Sequence, residues 1–427
     1  MIKMKDSGIA WIGDIPSDWN IVPNKRVMQK SKIICDKYNN ENVLSLTMNG
    51  VTVRDLENPT GKMPLTFDGY QYVQAGNLLM CLFDIDVTPR CVGVINNDGV
   101  TSPAYSQFKL LNDNYVRYYY YYYLYLDFTK ELLHLAKNLR HSLTESQLGE
   151  IYVPVPPLET QHHIADYLDK KCAKIDAIIE KQQTVIEKLK EYKLSVITEA
   201  VIKGLNPNVE MKDSGDTKIG NIPKHWNLRK LKNFITLISK GTTPSTLGGE
   251  ILSKGNVRFF KAENIQNNQI SMFPEHYIDN ETNELLKRSK LQTNDILFVI
   301  AGATIGKTAI VSEDLLPANT NQAVSFIRLQ DTTQSRFVWY YLQSHYVRDI
   351  LNILSVQSAQ PNLSMEDMKN FSLCIPPKNE IMQITKYLDK KCNDLEKIIC
   401  SKQEIINKLV EYKKSLIYEV VTGKKEV

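Results

Sequence analysis

IADYLDKKCAKIDAIIEKQQTVIEKLKEYKLSVITEAV, residues 164–201, is the stretch on which the reading of this chain turns. Leu168, Ile175, Gln182, Leu189 and Val196 are spaced by seven; Ile178, Val185 and Tyr192 fill a second row, and Ile179, Ile186 and Ala200 widen the stripe. Apolar residues sustained at that period predict a long coiled-coil helix. Pro156-Pro157 marks its start, since proline is accepted in the first helical turn and not beyond it. A helix over residues 158–204 would be about 70 Å long at ~1.5 Å per residue.

The same stretch occurs again. Residues 156–204 return at 376–424 with 22 of 49 positions identical, including YLDKKC at 167–172 and 387–392. The second copy places Leu388, Leu395, Lys402, Leu409 and Leu416 in one row and Ile398, Ile405 and Tyr412 in the other. Gln182 and Lys402 are the polar members of the first row and hold equivalent places near mid-helix. Helices packed antiparallel about a pseudo-twofold axis would bring these two together, fixing register at some cost in stability.

Working outward, MKDSGIAWIGDIPSDW (4–19) returns as MKDSGDTKIGNIPKHW (211–226), with 10 of 16 positions identical. The repeat offset is 207 at the front and 220 at the back, so two inserts differing by 13 residues sit inside two similar frames. This predicts a mixed α/β (α+β) protein of four parts: globule 1–155, helix 156–210, globule 211–375 and helix 376–427. The two globules would be joined by two long, antiparallel helices in a pseudo-twofold repeat. Inside the inserts, NLLMCLFDI (77–85) and DILFVIAG (295–302) read as strands broken by turn residues. VRYYYYYYLYLDF (116–128) and FVWYYLQSHY (337–346) read as helices. Six consecutive tyrosines fit either stacking on bases or core packing; the plain WYYL in the second copy favours packing.

A polar loop precedes each long helix. AKNLRHSLTESQL (136–148) supplies Asn138, Arg140, His141 and Ser142, and VQSAQPNLSMEDM (356–368) supplies Gln357, Gln360 and Asn362. The second insert adds Lys240, Thr242 and Thr243 around GTTPST (241–246), with Lys261, Asn264 and Gln266 in KAENIQNNQ (261–269). These side chains are of the kinds that hydrogen-bond base edges and hold phosphates.

A chain of 427 residues exceeds one ordinary core. Seven cysteines without a CxxC pair point to a reduced, cytoplasmic protein rather than a disulfide framework. No apolar run of roughly 18 residues suggests a membrane span, and the N-terminal lysines have no apolar segment behind them to make a signal peptide. The net charge of +4 is too small to announce a polyanion, so any grip on DNA must be local or shared with partners.

Two segments imitate catalytic motifs. AGATIGKT (301–308) meets a loose phosphate-binding loop pattern around Lys307, but such a loop must open a helix. Here Pro317 follows too soon, so a β-hairpin is expected, with Lys307 left to meet a DNA phosphate. His162 and Asp166 have metal-ligand spacing, yet Met382 and Lys386 replace them in the second copy, and a structural role is expected. Neither the aromatic-proline motif of amino-methyltransferases nor a proline followed by aspartate, as nucleases need, is present.

The double arrangement of WIGDIPSDW (11–19) with IGNIPKHW (219–226), GTTPS at 241, and IYVPVPPLETQ…YLDKKC with FSLCIPPKNE…YLDKKC resembles the specificity subunit of type I restriction–modification systems over essentially the whole chain. The resemblance implies two target-recognition domains, each reading half of a split double-stranded DNA site, with the helices as a ruler between halves. It implies no catalytic site and no cofactor in this chain. S-adenosylmethionine, ATP and Mg are expected on partners: two modification (methyltransferase) subunits and two restriction (motor-nuclease) subunits. The helix residues Leu168, Ile175, Gln182, Leu189, Tyr192, Leu388, Leu395, Lys402, Leu409 and Tyr412 are the expected interface. Unequal inserts imply an asymmetric target. A duplicated scaffold that reads no sequence, and a nucleotide hydrolase built on Lys307, are the competing readings.

Overall fold

The structure, a computed structural model, describes residues 3–59, 63–136, 141–357 and 362–427. Two long helices are present, Leu158–Lys203 and Lys378–Val421. The first seven-residue row is buried at Leu168, Ile175, Val196, Leu388, Leu395 and Leu416. The second row departs from expectation: Ile178 is 44% exposed, Tyr192 49% and Tyr412 51%, and Val185, Ile398 and Ile405 are exposed with them. Its place is taken by Cys172, Ile179, Ile186, Lys193 and Ala200, and by Cys392, Ile399, Ile406, Lys413 and Val420, each four residues after the first row. A helix advances about 100° per residue, so positions three and four ahead flank the same stripe. Adjacent isoleucines at 178 and 179 make both faces look alike in sequence, and packing selects the second.

The chain divides into two compact units, residues 1–183 with 403–427, and residues 184–402. Each holds a segment of both long helices. Gln182 and Lys402 fall in different units. The first unit has a four-stranded antiparallel sheet in the order Val92–Val94, Leu78–Met80, Ser106–Leu110, Met28–Ser31. The second has Thr308–Ile310, Ile296–Val299, Val324–Leu329, Ile235–Lys240, the same order of equivalent strands. A second sheet in each unit contains one parallel pair, Gly99–Thr101 with Val43–Thr47 and Ala318–Thr320 with Val257–Phe260. The repeated front motif forms a small antiparallel ribbon in each copy, Met4–Asp6 with Asp14–Pro16 and Met211–Asp213 with Asn221–Pro223.

Each core is closed by the end of a long helix. Leu416, Ile417, Val420 and Val421 pack with Trp19, Tyr118 and Leu168 in the first unit. Val196, Ile197, Ala200 and Val201 pack with Trp226, Leu388 and Cys392 in the second. Burying a side chain of this size contributes about 1.5–3 kcal/mol. The first helix stops at Gly204, whose φ of +77° suits only a residue without a side chain, and a Cβ there would lie 3.0 Å from the Trp226 ring.

The tyrosine run is core. Helix Val116–Thr129 buries Tyr118, Tyr119, Tyr121, Tyr122, Tyr123 and Tyr125, so it is apolar nearly all round. Most of the hydroxyls find partners within the unit: Tyr118 donates to the Val421 carbonyl, Tyr123 to Asn24 and Tyr125 to the Trp11 carbonyl, while the buried Tyr122 hydroxyl has none among the described residues. Among the described residues no helix is long and apolar enough to cross a membrane.

Candidate nucleic-acid interface

Strand pairing in the second unit carries several polar loops to one end of its four-stranded sheet. Lys240 lies opposite Ser325, and Val299 opposite Val324. The segments leaving these strands, 241–246 and 300–307, therefore emerge beside the one that enters at 324. Gly241 donates its N–H to the Val324 carbonyl, and Ile300 donates to Ala323. The approach is close enough that a Cβ on Gly241 would sit 1.8 Å from the Thr320 carbonyl oxygen, so glycine is required there. Thr243 donates to Gln322 Oε1 at 2.5 Å, tying GTTPS to the NTNQ segment. Asn321 N–H reaches the Phe260 carbonyl, which places Lys261 at the same end. Leu363 N–H bonds the Ile300 carbonyl, and Asn362 bridges Ala301.

Lys240, Thr242, Thr243, Lys261, Lys307 and Asn362 are thus brought together, all exposed or half-buried. Asn264 is not available for reading. It is buried, its Oδ1 accepts from the Lys261 N–H, and its Nδ2 donates to the Ser271 and Pro274 carbonyls; its amide holds the loop that presents Lys261. Gln266 is exposed and donates to the Glu263 carbonyl. Gln357 ends the helix His345–Gln357 and its side chain is outside the described part, as is Gln360.

Residues 301–308 form the expected hairpin: Ile296–Val299 pairs antiparallel with Thr308–Ile310, and no helix follows. Gly306 N–H bonds the Val299 carbonyl across the hairpin, and Ile305 and Lys307 close turns on Gly302 and Thr304; no α-helix opens from the loop, so it lacks the helix N-terminus that the nucleotide-hydrolase reading requires. Lys307 lines a cleft of about 510 Å³ with Lys190, Lys193, Arg348, Asn268 and Gln343.

In the first unit the matching end is formed by the connection 81–91 and the segment after 140. Leu143 N–H bonds the Leu82 carbonyl, the counterpart of Leu363 on Ile300. His141 is exposed and pairs with Asp86 at 3.0 Å, and its imidazole holds the Asp86 carboxyl below its ordinary range. Ser142 is placed beside it, half-buried. Asn138 and Arg140 lie outside the described residues.

Sequence reasoning missed Asp86, Gln322 and Arg348. NTNQ between Pro317 and an apolar strand was a visible signal for Gln322; Asp86 and Arg348 are joined to their loops by folding alone. Sequence reasoning also missed a cluster repeated in each unit. Arg117 and Tyr121 bond Asp169, and Arg336 and Tyr340 bond Asp389. Burial, then the hydrogen bond to the carboxylate, raises both tyrosines well above their ordinary value. His162 stacks on Tyr115 with ring centroids 3.9 Å apart, which gives it a packing role.

The family described as Type I restriction modification DNA specificity domain matches residues 90–188 and 223–406, more than half of the chain. The chain belongs to this family. The Type I restriction enzyme EcoBI specificity subunit of Escherichia coli is 25% identical over 279 residues, covering 63% of this chain and 58% of that protein. The MjaVIII specificity subunit of Methanocaldococcus jannaschii is 27% identical over 282 residues, covering 64% of this chain and 62% of that protein. The chain thus spans somewhat under two-thirds of these relatives' length. A solved structure described as "Structural basis underlying complex assembly and conformational transition of the type I R-M system" aligns with a TM-score of 0.71 at 13% identity, over 96% of this chain and 99% of that one. That likeness shows a shared fold.

Proposed function

We propose that this chain is the DNA-recognition subunit of a type I restriction–modification complex, with no catalytic site of its own. Each unit reads one half of a split target, and the target is asymmetric because the two loop sets differ in composition. The observation that carries this reading is the contrast inside the repeat. Strand order, helix ends and the Arg–Tyr–Asp clusters are duplicated, while the polar loops gathered at one end of each sheet are not. A framework kept constant under variable polar loops is what two readers of different sequences require. The relatives' names, which call them specificity subunits, support the same assignment.

In this reading the complex contains two modification subunits, which carry S-adenosylmethionine and flip the target adenine, and two motor-nuclease subunits with ATP and Mg. The exposed rows Ile178, Val185, Tyr192 and Ile398, Ile405, Tyr412 are available for partner docking. Methylome sequencing of the host with and without this gene, keeping the cognate methyltransferase gene intact, tests the proposal. Loss of N6-methyladenine at one split, asymmetric motif is expected. An unchanged methylome would leave the duplicated-scaffold reading.

A further inference from the structure

The row that flanks the first seven-residue row carries one lysine in each copy, Lys193 and Lys413, and each has found a carboxylate on the other helix of its own unit. In the first unit Lys413 Nζ donates to both oxygens of Asp176 at 2.7 Å. In the second Lys193 Nζ donates to Glu396 at 2.5 Å. The two bridges are the same bridge written twice: Asp176 and Glu396 stand 220 residues apart, as do Lys193 and Lys413. The lysine side chains are only 15% and 19% exposed, at positions where neighbouring turns place Ile186, Ala200, Ile406 and Val420.

Such a residue is a poor choice for cohesion. The partner carboxylates sit at the edge of the seam, Asp176 55% and Glu396 38% exposed; an ion pair at such an edge contributes little cohesion, and its best-attested use is to specify register. The neighbouring residues show how. Sliding either helical pair by one heptad, roughly 10 Å at ~1.5 Å per residue, would set Asp176 against Ile406 or Val420. The equivalent slide would set Glu396 against Ile186 or Ala200. Either leaves a carboxylate facing an apolar side chain, whereas the apolar positions alone would accept the slipped pairing.

We propose that Asp176–Lys413 and Glu396–Lys193 are a duplicated register lock, positioning residues that hold the helices of each unit at one offset and thereby admit one gap length between DNA half-sites. This rests on the DNA-reading function proposed above. Neither Gln182 nor Lys402, the polar pair that stands out in sequence, is needed for it.

The test uses the full complex in a host that carries the cognate methyltransferase, comparing single reversals, charge swaps and apolar pairs by methylome sequencing. D176K is expected to lower methylation at the native gap at least tenfold, or to spread it to gaps about three base pairs longer or shorter, the ~10 Å of one heptad at ~3.4 Å per base pair, with both half-site sequences unchanged. The swap D176K/K413D should return the native gap to within twofold of wild type. D176L/K413L should assemble and melt like wild type yet tolerate neighbouring gaps, a separation that a purely structural bridge would not produce. K193E and K193E/E396K repeat the cycle in the second unit, so that failure of one swap to assemble still leaves a reading. Native gap and native occupancy in D176K and K193E, or a native gap held strictly by assembled D176L/K413L, would overturn the lock. Absence of any methylation dependent on the wild-type chain would instead remove the DNA-reading function, and the lock with it.

Discussion

The two units share a framework down to single hydrogen bonds and differ in how they fill it. Arg117, Tyr121 and Asp169 in one correspond to Arg336, Tyr340 and Asp389 in the other, and Cys172 to Cys392, both thiols pushed up to about 11 chiefly by burial. Above this cluster the first unit builds its helix almost wholly from buried tyrosines, where the second uses Phe337, Val338, Tyr340 and Tyr341. The first unit closes its loop end with a His141–Asp86 pair, the second with Thr243–Gln322. Duplication has therefore held the contacts that seat each globule on its helices, and released both the core chemistry above them and the exposed loops.

The difference in core chemistry yields the largest expected effect. Burial raises Tyr118, Tyr119, Tyr121, Tyr122, Tyr123 and Tyr125 above the ordinary tyrosine value in the first unit, against Tyr340 and Tyr341 in the second. Below pH ~10 these side chains are protonated whether the chain is folded or not, and stability is unaffected. Above it the unfolded chain loses protons that the folded chain keeps, so stability falls by about 1.4 kcal/mol per pH unit for each such tyrosine. The first unit should open first between pH 10 and 12, seen by hydrogen exchange or limited proteolysis resolved by unit. Opening of the second unit first would break the comparison.

The loops should divide the reading. Replacing Gln322 by alanine is expected to relax one position in one half of the methylated motif, by about 1–3 kcal/mol or ten- to a hundred-fold in discrimination. His141→Ala should alter the other half and leave the first intact. Methylome sequencing of the two variants reads both halves at once. Changes in both halves from either substitution would show that the units do not read independently.

The shared cluster should behave as a shared cluster. Asp169→Ala and Asp389→Ala each strip a tyrosine and an arginine of their carboxylate, at a cost of about 1–2 kcal/mol, limited by partial solvent exposure. The two losses should agree within about 0.5 kcal/mol in denaturant melts. A twofold inequality would mean that the duplicated geometry hides unequal packing.

How much of this was legible in the chain follows from what each feature depends on. The long helices and the frame could be read because period and repetition are properties of sequence alone: Leu168 and Leu388 announce a buried row wherever the partner lies. The second row could not, because Ile178 and Ile179 are both apolar and the partner's position decides between them. The tyrosine run was legible as core only through its plainer copy at 337–346. Asn264 looked like a reader because its amide chemistry is that of a reader; its burial under Ser271 and Pro274 is a matter of folding. Nothing in the sequence sets Lys193 and Lys413 apart from the other lysines of the helices; a carboxylate on the facing helix engages each of them.

The smallest expected effect separates the two hairpin ends. Lys307 stands just ahead of the strand Thr308–Ile310, and among the described residues it has no side-chain hydrogen bond or ion pair, nor does Arg348 across the same cleft. Arg90 stands just ahead of the equivalent strand Val92–Val94, but its guanidinium donates to the Tyr120 hydroxyl and lies in the region of the aromatic helix. A cation without an internal partner is free to neutralise a phosphate and release a counterion; one already bonded gives up part of that gain. Lys307→Ala should therefore lower the slope of log affinity against log salt by about 1, with the recognised motif unchanged. Arg90→Ala should lower it by less, because part of that guanidinium's capacity is spent inside the protein. Measured by DNA titration of the intact complex across 50–200 mM salt, equal slopes for the two variants would mean that the internal bond of Arg90 opens on DNA. In that case the two hairpins grip the backbone alike, and only the loop residues distinguish one half-site from the other.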